Sequence, residues 1–200
     1  MSVSRSVEFF DRQFAQQAGG LSPGLNPFEL AALPHLRGSV LDYGCGMGAL
    51  SLAAARAGCT VHALDASEVA VNHLRRRAGE EHLSIRAEVA DLRSHRIVGA
   101  YDSVVSIGLL MFFDCATAER TLAKLETHLK PGGTLVINVL VKGTTYMAMF
   151  DPQGYCLFEC DALVRRFAHW NIVVSEFKDY AAPGGLVKCF ATLIARKPSC

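Results

Sequence analysis

The chain has 200 residues, of which half are hydrophobic and a fifth are charged, and its formal net charge at pH 7 is +1. This length and composition predict one folded domain with a sizeable core and exclude a disordered chain. The balanced charge gives no basic surface for nucleic acid or for an anionic membrane, so we expect neither as a partner.

The sequence also shows no signal for a membrane or for export. No stretch reaches the roughly 18 uncharged apolar residues that cross a membrane, and "MSVSRSVEFFDRQF" lacks the apolar centre of a signal peptide. We therefore expect a cytoplasmic protein whose seven cysteines are reduced thiols. The sequence leaves monomer and homodimer open.

The region before Val40 predicts two helices. In the first, apolar residues recur at the three- and four-residue spacing of an amphipathic helix: Val7, Phe10, Phe14 and Ala18. The second begins at Asn26, which is typical of an N-cap because Pro27 follows it and Glu29 lies three residues beyond. This helix is expected to end near Gly38.

From Val40 onward, predicted strands and helices alternate. The strands are 40–43, 60–64, 83–89, part of "YDSVVSIGLL", "GGTLVINVLV", 171–177 and 187–195; the helices are 49–57, 67–78, about 115–129 and about 159–169. Repeated strand–helix units predict a doubly wound, mostly parallel sheet of the α/β class. The last two strands lack a crossover helix, so they should pair antiparallel.

In such a sheet, ligands bind outside the carboxyl ends of the strands. The functional site is therefore expected just after Tyr43, Leu64, Val89, Ile107 and Val141. We interpret the chain as a single domain, 1–200. It would contain an N-terminal helical lid (1–38), a cofactor-binding core (39–141), and a C-terminal helix and β-hairpin (142–200).

A glycine-rich turn follows the first predicted strand, in "VLDYGCGMGALSLAAA". Gly44, Gly46 and Gly48 let backbone N–H groups at a helix start approach a ligand, as in dinucleotide-binding turns. Asp42 precedes the glycines, and its carboxylate would repel a pyrophosphate in a partly desolvated site. The turn therefore favours a ligand with a positive charge, such as S-adenosylmethionine with its ammonium and sulfonium groups.

Two further acids follow the next two strands. Asp65 lies about 20 residues beyond the glycines, which is the spacing of an acid that binds ribose hydroxyls. Asp91, in "VADLRS", is placed to accept a hydrogen bond from an adenine amino group. Each acid also has a purely structural interpretation, because Asp65 can cap a helix and Asp91 can shape a turn.

The segments "VLDYGCGMG", "ALDAS", "VADL", "YDSVVSIGLL" and "LKPGGTLVI" resemble, in order and spacing, the motifs of class I S-adenosylmethionine-dependent methyltransferases. The resemblance implies a Rossmann-like sheet of seven strands with an antiparallel last strand. It implies S-adenosylmethionine as cofactor and S-adenosylhomocysteine as product, with Ser106 near the reacting end. The implied cofactor-binding residues are Asp42, Gly44, Cys45, Gly46, Gly48, Asp65, Ala66, Asp91, Leu92 and Ser106.

A narrower resemblance involves "SIGLLMFFD", "FECDALVRRFAHWNIVVSEF" and "KCFATLIARKP". These segments are similar to the tellurite-resistance methyltransferases, which methylate soft oxyanions and related small acceptors. Those enzymes carry a His-Arg segment and a further Arg in the last hairpin, whereas "DYAAPGGLVK" offers Lys188 alone as a cation. The resemblance implies a small-molecule acceptor such as a metalloid oxyanion or a thiol, and it leaves the acceptor atom open.

The acceptor pocket should lie between the N-terminal helices, the segment after Ile107 and the loop after Val141. Candidate acceptor-binding residues are Phe14, Met111, Phe112 and Tyr146, with Phe10 and Tyr155 beside them. Packing alone is an alternative role for each of these side chains. Methyl transfer from a sulfonium needs a base only when the nucleophile must lose a proton, so no catalytic residue is predicted.

The remaining patterns predict no further chemistry. The histidines show no ligand spacing such as H-x-x-x-H, so no metal site is inferred. Cys156 and Cys160 are four residues apart and would share a face if that segment were helical; they are expected to be structural thiols. Two other functions remain open: an NAD-dependent oxidoreductase, which Asp42 disfavours, and a catalytically silent S-adenosylmethionine-binding module.

Overall fold

The computed structural model describes residues 5–18, 24–152 and 154–199. Within these residues the strands are β1 (Ser39–Tyr43), β2 (Thr60–Asp65), β3 (Ile85–Val89), β4 (Tyr101–Ile107), β5 (Leu129–Leu140), β6 (Asn171–Ala182) and β7 (Leu186–Arg196). The helices are α1 (Arg5–Ala18), α2 (Pro27–Ala32), α3 (Ala49–Arg56), α4 (Glu68–Glu80), α5 (Cys115–Thr127) and α6 (Ala162–Arg166). The predicted alternation of strands and helices is confirmed.

The seven strands form one sheet in the order β3-β2-β1-β4-β5-β7-β6. Neighbours from β3 to β5 pair parallel, whereas β7 pairs antiparallel with both β5 and β6. The fold is therefore the expected Rossmann-like α/β sheet with its last strand inserted antiparallel. The strand order reverses between β1 and β4, and this switch point is where such sheets bind ligands.

The predicted helix caps are present. The Asn26 side chain accepts hydrogen bonds from the N–H groups of Phe28 and Glu29, and the Glu29 carboxylate accepts one from the N–H of Asn26. However, α2 ends at Ala32 rather than near Gly38, and a 3-10 turn follows it. Pro34 explains the early end, because it has no N–H group to donate to the carbonyl four residues before it.

Other element bounds differ from the prediction in the C-terminal half. α5 ends at Thr127, and Leu129 already belongs to β5. The predicted helix 159–169 is reduced to Ala162–Arg166, because Phe158 before it is held in an isolated bridge to Val141. Both hairpin strands are longer than predicted, and a three-residue turn joins them.

The core occupies both faces of the sheet. Alternation along β1 turns Leu41 and Tyr43 toward the cluster that contains α5 and α6. It turns Val40 toward the cluster that contains α3 and α4. Asp42 is two residues after Val40 and faces the same side of the sheet, so its buried side chain points toward α3. A single acid is thereby carried into the interior at the switch point.

The cysteine predictions require correction. Cys115, the first residue of α5, forms a disulfide with Cys156, although reduced thiols were expected. The two Cα atoms are 4.7 Å apart because the loop after β5 folds back beside the start of α5. Cys156 and Cys160 do not share a helix face, since both precede α6. Cys200 lies outside the described residues.

No helix in the described part of the chain is long and apolar enough to span a bilayer.

Candidate functional site

A cavity of about 510 Å³ lies at the carboxyl edge of the sheet. Its walls include residues at or beyond the ends of β1, β2, β3 and β4, in the segments 44–50, 65–67, 91–93 and 107–113. Helices α1 and α2 supply the opposite wall through residues that include Phe10, Phe14 and Glu29. The cavity therefore lies where the order of the strands predicts a ligand site.

The three glycines of the turn play different roles. A Cβ atom on Gly48 would lie 2.5 Å from a methyl carbon of Leu74, so this position has to be glycine for α3 to pack against α4. A Cβ on Gly44 would lie 2.9 Å from that of Leu109. At Gly46 the nearest atom would be a ring carbon of Phe14 at 3.4 Å. A side chain at Gly46 would therefore contact Phe14 of α1 without a severe clash, and its absence leaves the backbone of the turn uncovered by a side chain of its own.

Asp42 is buried at the inner end of the cavity. Its carboxylate accepts a hydrogen bond from the Ser51 hydroxyl at 2.6 Å, and no cation pairs with it among the described residues. Burial raises the pKa of Asp42 to about 7, and the charge of Glu29 contributes in the same direction. Burial also raises the pKa of Glu29, which lines the same cavity. Because neither carboxyl group has a cationic partner in the described part of the chain, this end of the cavity suits a positively charged ligand.

Asp65 connects the glycine turn to the end of β2. One carboxylate oxygen accepts a hydrogen bond from the N–H of Gly46 at 2.8 Å, and the other accepts one from the N–H of Ser67 at 2.9 Å. Each oxygen keeps a second lone pair for a hydroxyl donor. The Ser67 hydroxyl also hydrogen-bonds Asp11 of α1, so α1 is anchored beside Asp65.

The adenine-side candidates are less enclosed. Asp91 is exposed, and its carboxylate accepts hydrogen bonds from the N–H of Arg93 at 3.1 Å and from the Ser94 hydroxyl at 2.8 Å. Leu92 is buried in the cavity wall, and its carbonyl accepts the Tyr43 hydroxyl at 2.6 Å. Asp91 thus stabilises its own turn, which is the structural role given above as the alternative. It also lies in the cavity wall, where it could bind an adenine amino group.

The remaining cofactor candidates fall into two groups. Cys45 and Ala66 lie in the cavity wall, and burial raises the pKa of the Cys45 thiol, which makes it a packing group rather than a nucleophile. Ser106 is not brought to the wall. Ser106 lies two residues after Val104 in β4, so both side chains point to the same face of the sheet. Val104 belongs to the cluster that contains α5, and the buried Ser106 hydroxyl therefore points away from the cavity.

The other half of the cavity is aromatic. Phe112 packs edge-on against Phe10 with 5.1 Å between ring centroids, and Phe150 packs against it at 5.2 Å. The predicted acceptor residues Phe14, Met111, Phe112 and Tyr146 all lie in the wall, and Phe10 joins them. Tyr155 is exposed, its ring packs at a tilt against Phe150, and it does not reach the wall.

Two cations line the cavity, and they differ in their surroundings. Arg93 is engaged by its neighbours, because its guanidinium donates to the Phe112 carbonyl at 3.2 Å and lies over the Phe113 ring. Lys188 lies 4.7 Å from the centroid of the Tyr146 ring and has no carboxylate partner in the described parts of the chain. Partial burial lowers the pKa of Lys188.

Sequence reasoning missed several residues of this wall. Glu29 was recognised as a helix-capping residue, but its place beside Asp42 was not predicted. Asn138 is fully buried in β5 and lines the cavity. A single amide within the apolar run "LVINVLV" was the available signal for it. Phe28 and Phe190 were not distinguished from core aromatics, although both line the wall.

The chain is similar to known methyltransferases. A family model described as a methyltransferase domain matches residues 40–133. A probable S-adenosyl-L-methionine-dependent methyltransferase, TehB of Haemophilus influenzae, is 27% identical over 164 residues, which cover 79% of this chain and 57% of TehB. A ubiquinone biosynthesis O-methyltransferase of Xanthomonas campestris is 35% identical over 150 residues, covering 65% and 60% of the two chains. The chain thus spans less than two thirds of these relatives' lengths.

Solved structures show the same fold. The crystal structure of TehB from Haemophilus influenzae superposes with a TM-score of 0.75 at 21% identity, covering 94% of this chain and 67% of that one. The N-methyltransferase NodS from Bradyrhizobium japonicum, in complex with S-adenosyl-L-homocysteine, superposes with a TM-score of 0.69 at 17% identity and covers 94% and 98%. The chain therefore has the fold of these methyltransferases, matches a methyltransferase-domain model over residues 40–133 and is similar in sequence to TehB.

Proposed function

We propose that the protein transfers the methyl group of S-adenosylmethionine to a small-molecule acceptor. The observation that carries this proposal is one continuous cavity with two unlike halves. One half holds carboxyl groups that have no cationic partner among the described residues, around a glycine turn. The other half is aromatic and contains Lys188, which has no carboxylate partner among the same residues. A cationic methyl donor fits the first half, and an organic acceptor fits the second.

The residues of the acidic half fit the cofactor on their own chemistry. Asp42 and Glu29 would face the positively charged methionine end, and Gly46 leaves the space that a side chain would fill. Asp65 would use its free lone pairs for the ribose hydroxyls, and Asp91 would lie toward the adenine. When bound, the cofactor supplies a methyl group already activated by its sulfonium, so the protein's task is alignment and exclusion of water.

Helix α1 would provide that exclusion. Phe10 and Phe14 project from it into the cavity wall, and Asp11 anchors it to Ser67 at the end of β2. We therefore propose that segment 1–38 acts as a lid over the cofactor. Amide hydrogen exchange in α1 is expected to slow when S-adenosylhomocysteine binds, whereas an unchanged exchange rate would contradict a lid.

The acceptor half favours a small organic molecule over a metalloid oxyanion. An oxyanion spreads its charge over several strongly hydrated oxygens, and Lys188 alone is an unpaired cation in this part of the described wall. A thiol or another nucleophile on an apolar body would bury well among Met111, Phe112 and Tyr146. Relatives carry names that specify different acceptors, including a ribosomal RNA small subunit methyltransferase, so their names do not select one.

The other predicted properties stay part of the proposal. With a net charge of +1, we propose a small molecule rather than a nucleic acid as the acceptor. A cytoplasmic location and a monomeric or homodimeric state are likewise proposed. Size-exclusion chromatography with light scattering would decide between the two oligomeric states.

Calorimetry with S-adenosylhomocysteine tests the proposal directly. Binding at micromolar concentration is expected, with no binding of NAD under the same conditions. A parallel screen of selenite, tellurite, small thiols and small amines would report turnover through release of S-adenosylhomocysteine. If the protein bound NAD and did not bind S-adenosylhomocysteine, the proposal would be wrong and an oxidoreductase function would take its place. If S-adenosylhomocysteine bound but no acceptor were methylated, the protein would be a catalytically silent S-adenosylmethionine-binding module.

A further inference from the structure

Asn138 lines the cavity and carries a buried polar atom that no described residue satisfies. Its side chain is fully buried, and its Nδ2 donates to the Thr192 hydroxyl at 2.9 Å. Its Oδ1 has no partner among the described residues. A buried amide oxygen without a donor costs free energy, so a donor from a ligand would relieve that cost.

Lys188 lies on the same face of the sheet, farther along the cavity. The antiparallel register of β5 and β7 pairs Asn138 with Thr192 and Leu140 with Phe190, and Lys188 is two residues beyond Phe190. Because side chains of one face recur every second residue, these groups form a row on one side of the two strands. Asn138 and Lys188 therefore mark two ends of the row, separated along the strands by roughly 13 Å of backbone.

The surface between the two ends is apolar. Leu140 and Phe190 both line the cavity there, and Tyr146 and Met149 border the same part of the wall. Hydrogen bonds from the N–H groups of Thr145 and Tyr146 to the Val187 carbonyl hold the Tyr146 segment beside β7. Asn138, an apolar middle and the Lys188 ammonium thus follow one another along the wall.

We infer that the methyl acceptor is an amine that carries an anionic group at the other end of an apolar or aromatic body. This inference rests on the proposed methyltransferase function and narrows its acceptor. The amine N–H would donate to Oδ1 of Asn138, and the anionic group, a carboxylate for example, would pair with the ammonium of Lys188. Leu140, Phe190 and Tyr146 would enclose the body between them.

An amine fits this end better than a thiol or a hydroxyl group. A thiolate has no hydrogen to give to Oδ1, and a hydroxyl would need a base, which an amide cannot be. A neutral amine attacks through its lone pair while an N–H stays on Oδ1. A carbon–nitrogen bond forms as the carbon–sulfur bond breaks, and its electron pair stays on sulfur. The resulting N-methylammonium then releases a proton to water.

Matched probes test both ends of the inference. Para-aminomethylbenzoate, its neutral carboxamide and the thiol analogue para-mercaptomethylbenzoate would be compared by kcat/KM and by binding to the protein saturated with S-adenosylhomocysteine. The carboxylate amine is expected to exceed the carboxamide by about tenfold or more, the size of one partly buried charge pair. The thiol analogue is expected to be the poorer acceptor.

Variants then assign each effect to a residue. Lys188→Met keeps the apolar stem over Tyr146 and is expected to remove the preference for the carboxylate, whereas Lys178→Met on the same hairpin is the matched control. Asn138→Leu is expected to lower kcat/KM for the amine by about tenfold while the affinity for S-adenosylhomocysteine is unchanged. Thr192→Val, which loses the bond that orients the amide, is expected to give an intermediate effect.

Several outcomes would overturn the inference while the proposed function stands. These are a carboxylate preference that survives in Lys188→Met, a thiol methylated at least as fast as the amine, and probes that neither bind nor react although S-adenosylhomocysteine binds. A loss of cofactor affinity in Asn138→Leu would assign that oxygen to the cofactor instead. Failure of S-adenosylhomocysteine to bind the unmodified protein would overturn the proposed function itself.

Discussion

The Ser51 hydroxyl donates a hydrogen bond of 2.6 Å to the carboxylate of Asp42, and both residues are buried. Burial is the larger influence and raises the pKa of Asp42 to about 7, while the Ser51 hydrogen bond lowers it in part. Asp42 therefore changes its charge close to neutral pH. Its protonation is expected to be coupled to the binding of a cation beside it.

Cofactor affinity is expected to depend on pH through Asp42. A ligand ammonium favours the ionised carboxylate, so binding below about pH 7 must release a proton, and affinity falls by up to about tenfold per pH unit as the pH drops. Asp42→Asn is expected to bind more weakly and to lose this slope. Ser51→Ala should move the midpoint to higher pH. Calorimetry of S-adenosylhomocysteine across this range is the measurement, and a flat profile in the unmodified protein would refute the coupling.

Asp65 and Asp91 are expected to contribute unequally to cofactor binding. Asp65→Ala removes the acceptor for ribose hydroxyls and also frees the N–H of Gly46, so affinity for S-adenosylhomocysteine should fall by about tenfold or more. Asp91→Ala removes a more exposed carboxylate whose observed partners are local, and a smaller loss is expected. Equal losses in the two variants, or an unchanged affinity in Asp65→Ala, would contradict the assignment of the ribose.

Gly48→Ala should destabilise the fold rather than weaken the cofactor site alone. The added methyl would overlap Leu74, and the backbone at φ +78° disfavours a side chain, so a loss of roughly 3 kcal/mol in the free energy of unfolding is expected. Gly58→Ala is the matched control, because φ is +93° there and nothing lies within 4 Å of the new Cβ. Chemical denaturation compares the two. A loss no larger than that of Gly58→Ala would mean that α4 accommodates the methyl group.

The parts of the site that sequence could predict are those set by local spacing. Asp42, the glycine turn and Asp65 follow β1 and β2 at fixed distances, and the turn and sheet edge place them in one cavity. The capping box at Asn26 was predictable for the same reason, because its two side chains are three residues apart in the sequence. In contrast, the placement of Asn138 and Lys188 on one face of the sheet depends on the register of β5 and β7, which the sequence does not encode at short range.

Where the structure differs from the sequence predictions, the cause is again an arrangement that forms only in the folded chain. Ser106 was predicted at the reacting end, but strand parity points it away from the cavity. Glu29 was assigned to capping, and the path of α2 over the sheet brings it beside Asp42 as well. The Cys115–Cys156 disulfide joins residues 41 positions apart, and only the folded loop after β5 reveals their proximity.

The disulfide is expected to hold the loop after β5 in place, and this loop packs against the acceptor half of the cavity. It links Cys115 of α5 to Cys156, whose N–H also donates to the Met111 carbonyl at 3.0 Å, and Phe150 of the same loop packs on Phe112. The chain-entropy estimate for a loop of this length is about 4 kcal/mol of stabilisation. Cleavage by a dithiol, which leaves as its own disulfide, should speed amide exchange in residues 147–157 while β1 stays protected. Cys115→Ser should reproduce that change without reductant, and Cys160→Ser, which alters a free exposed thiol, should not. Equal exchange in the oxidised and reduced proteins would show that packing alone holds the loop.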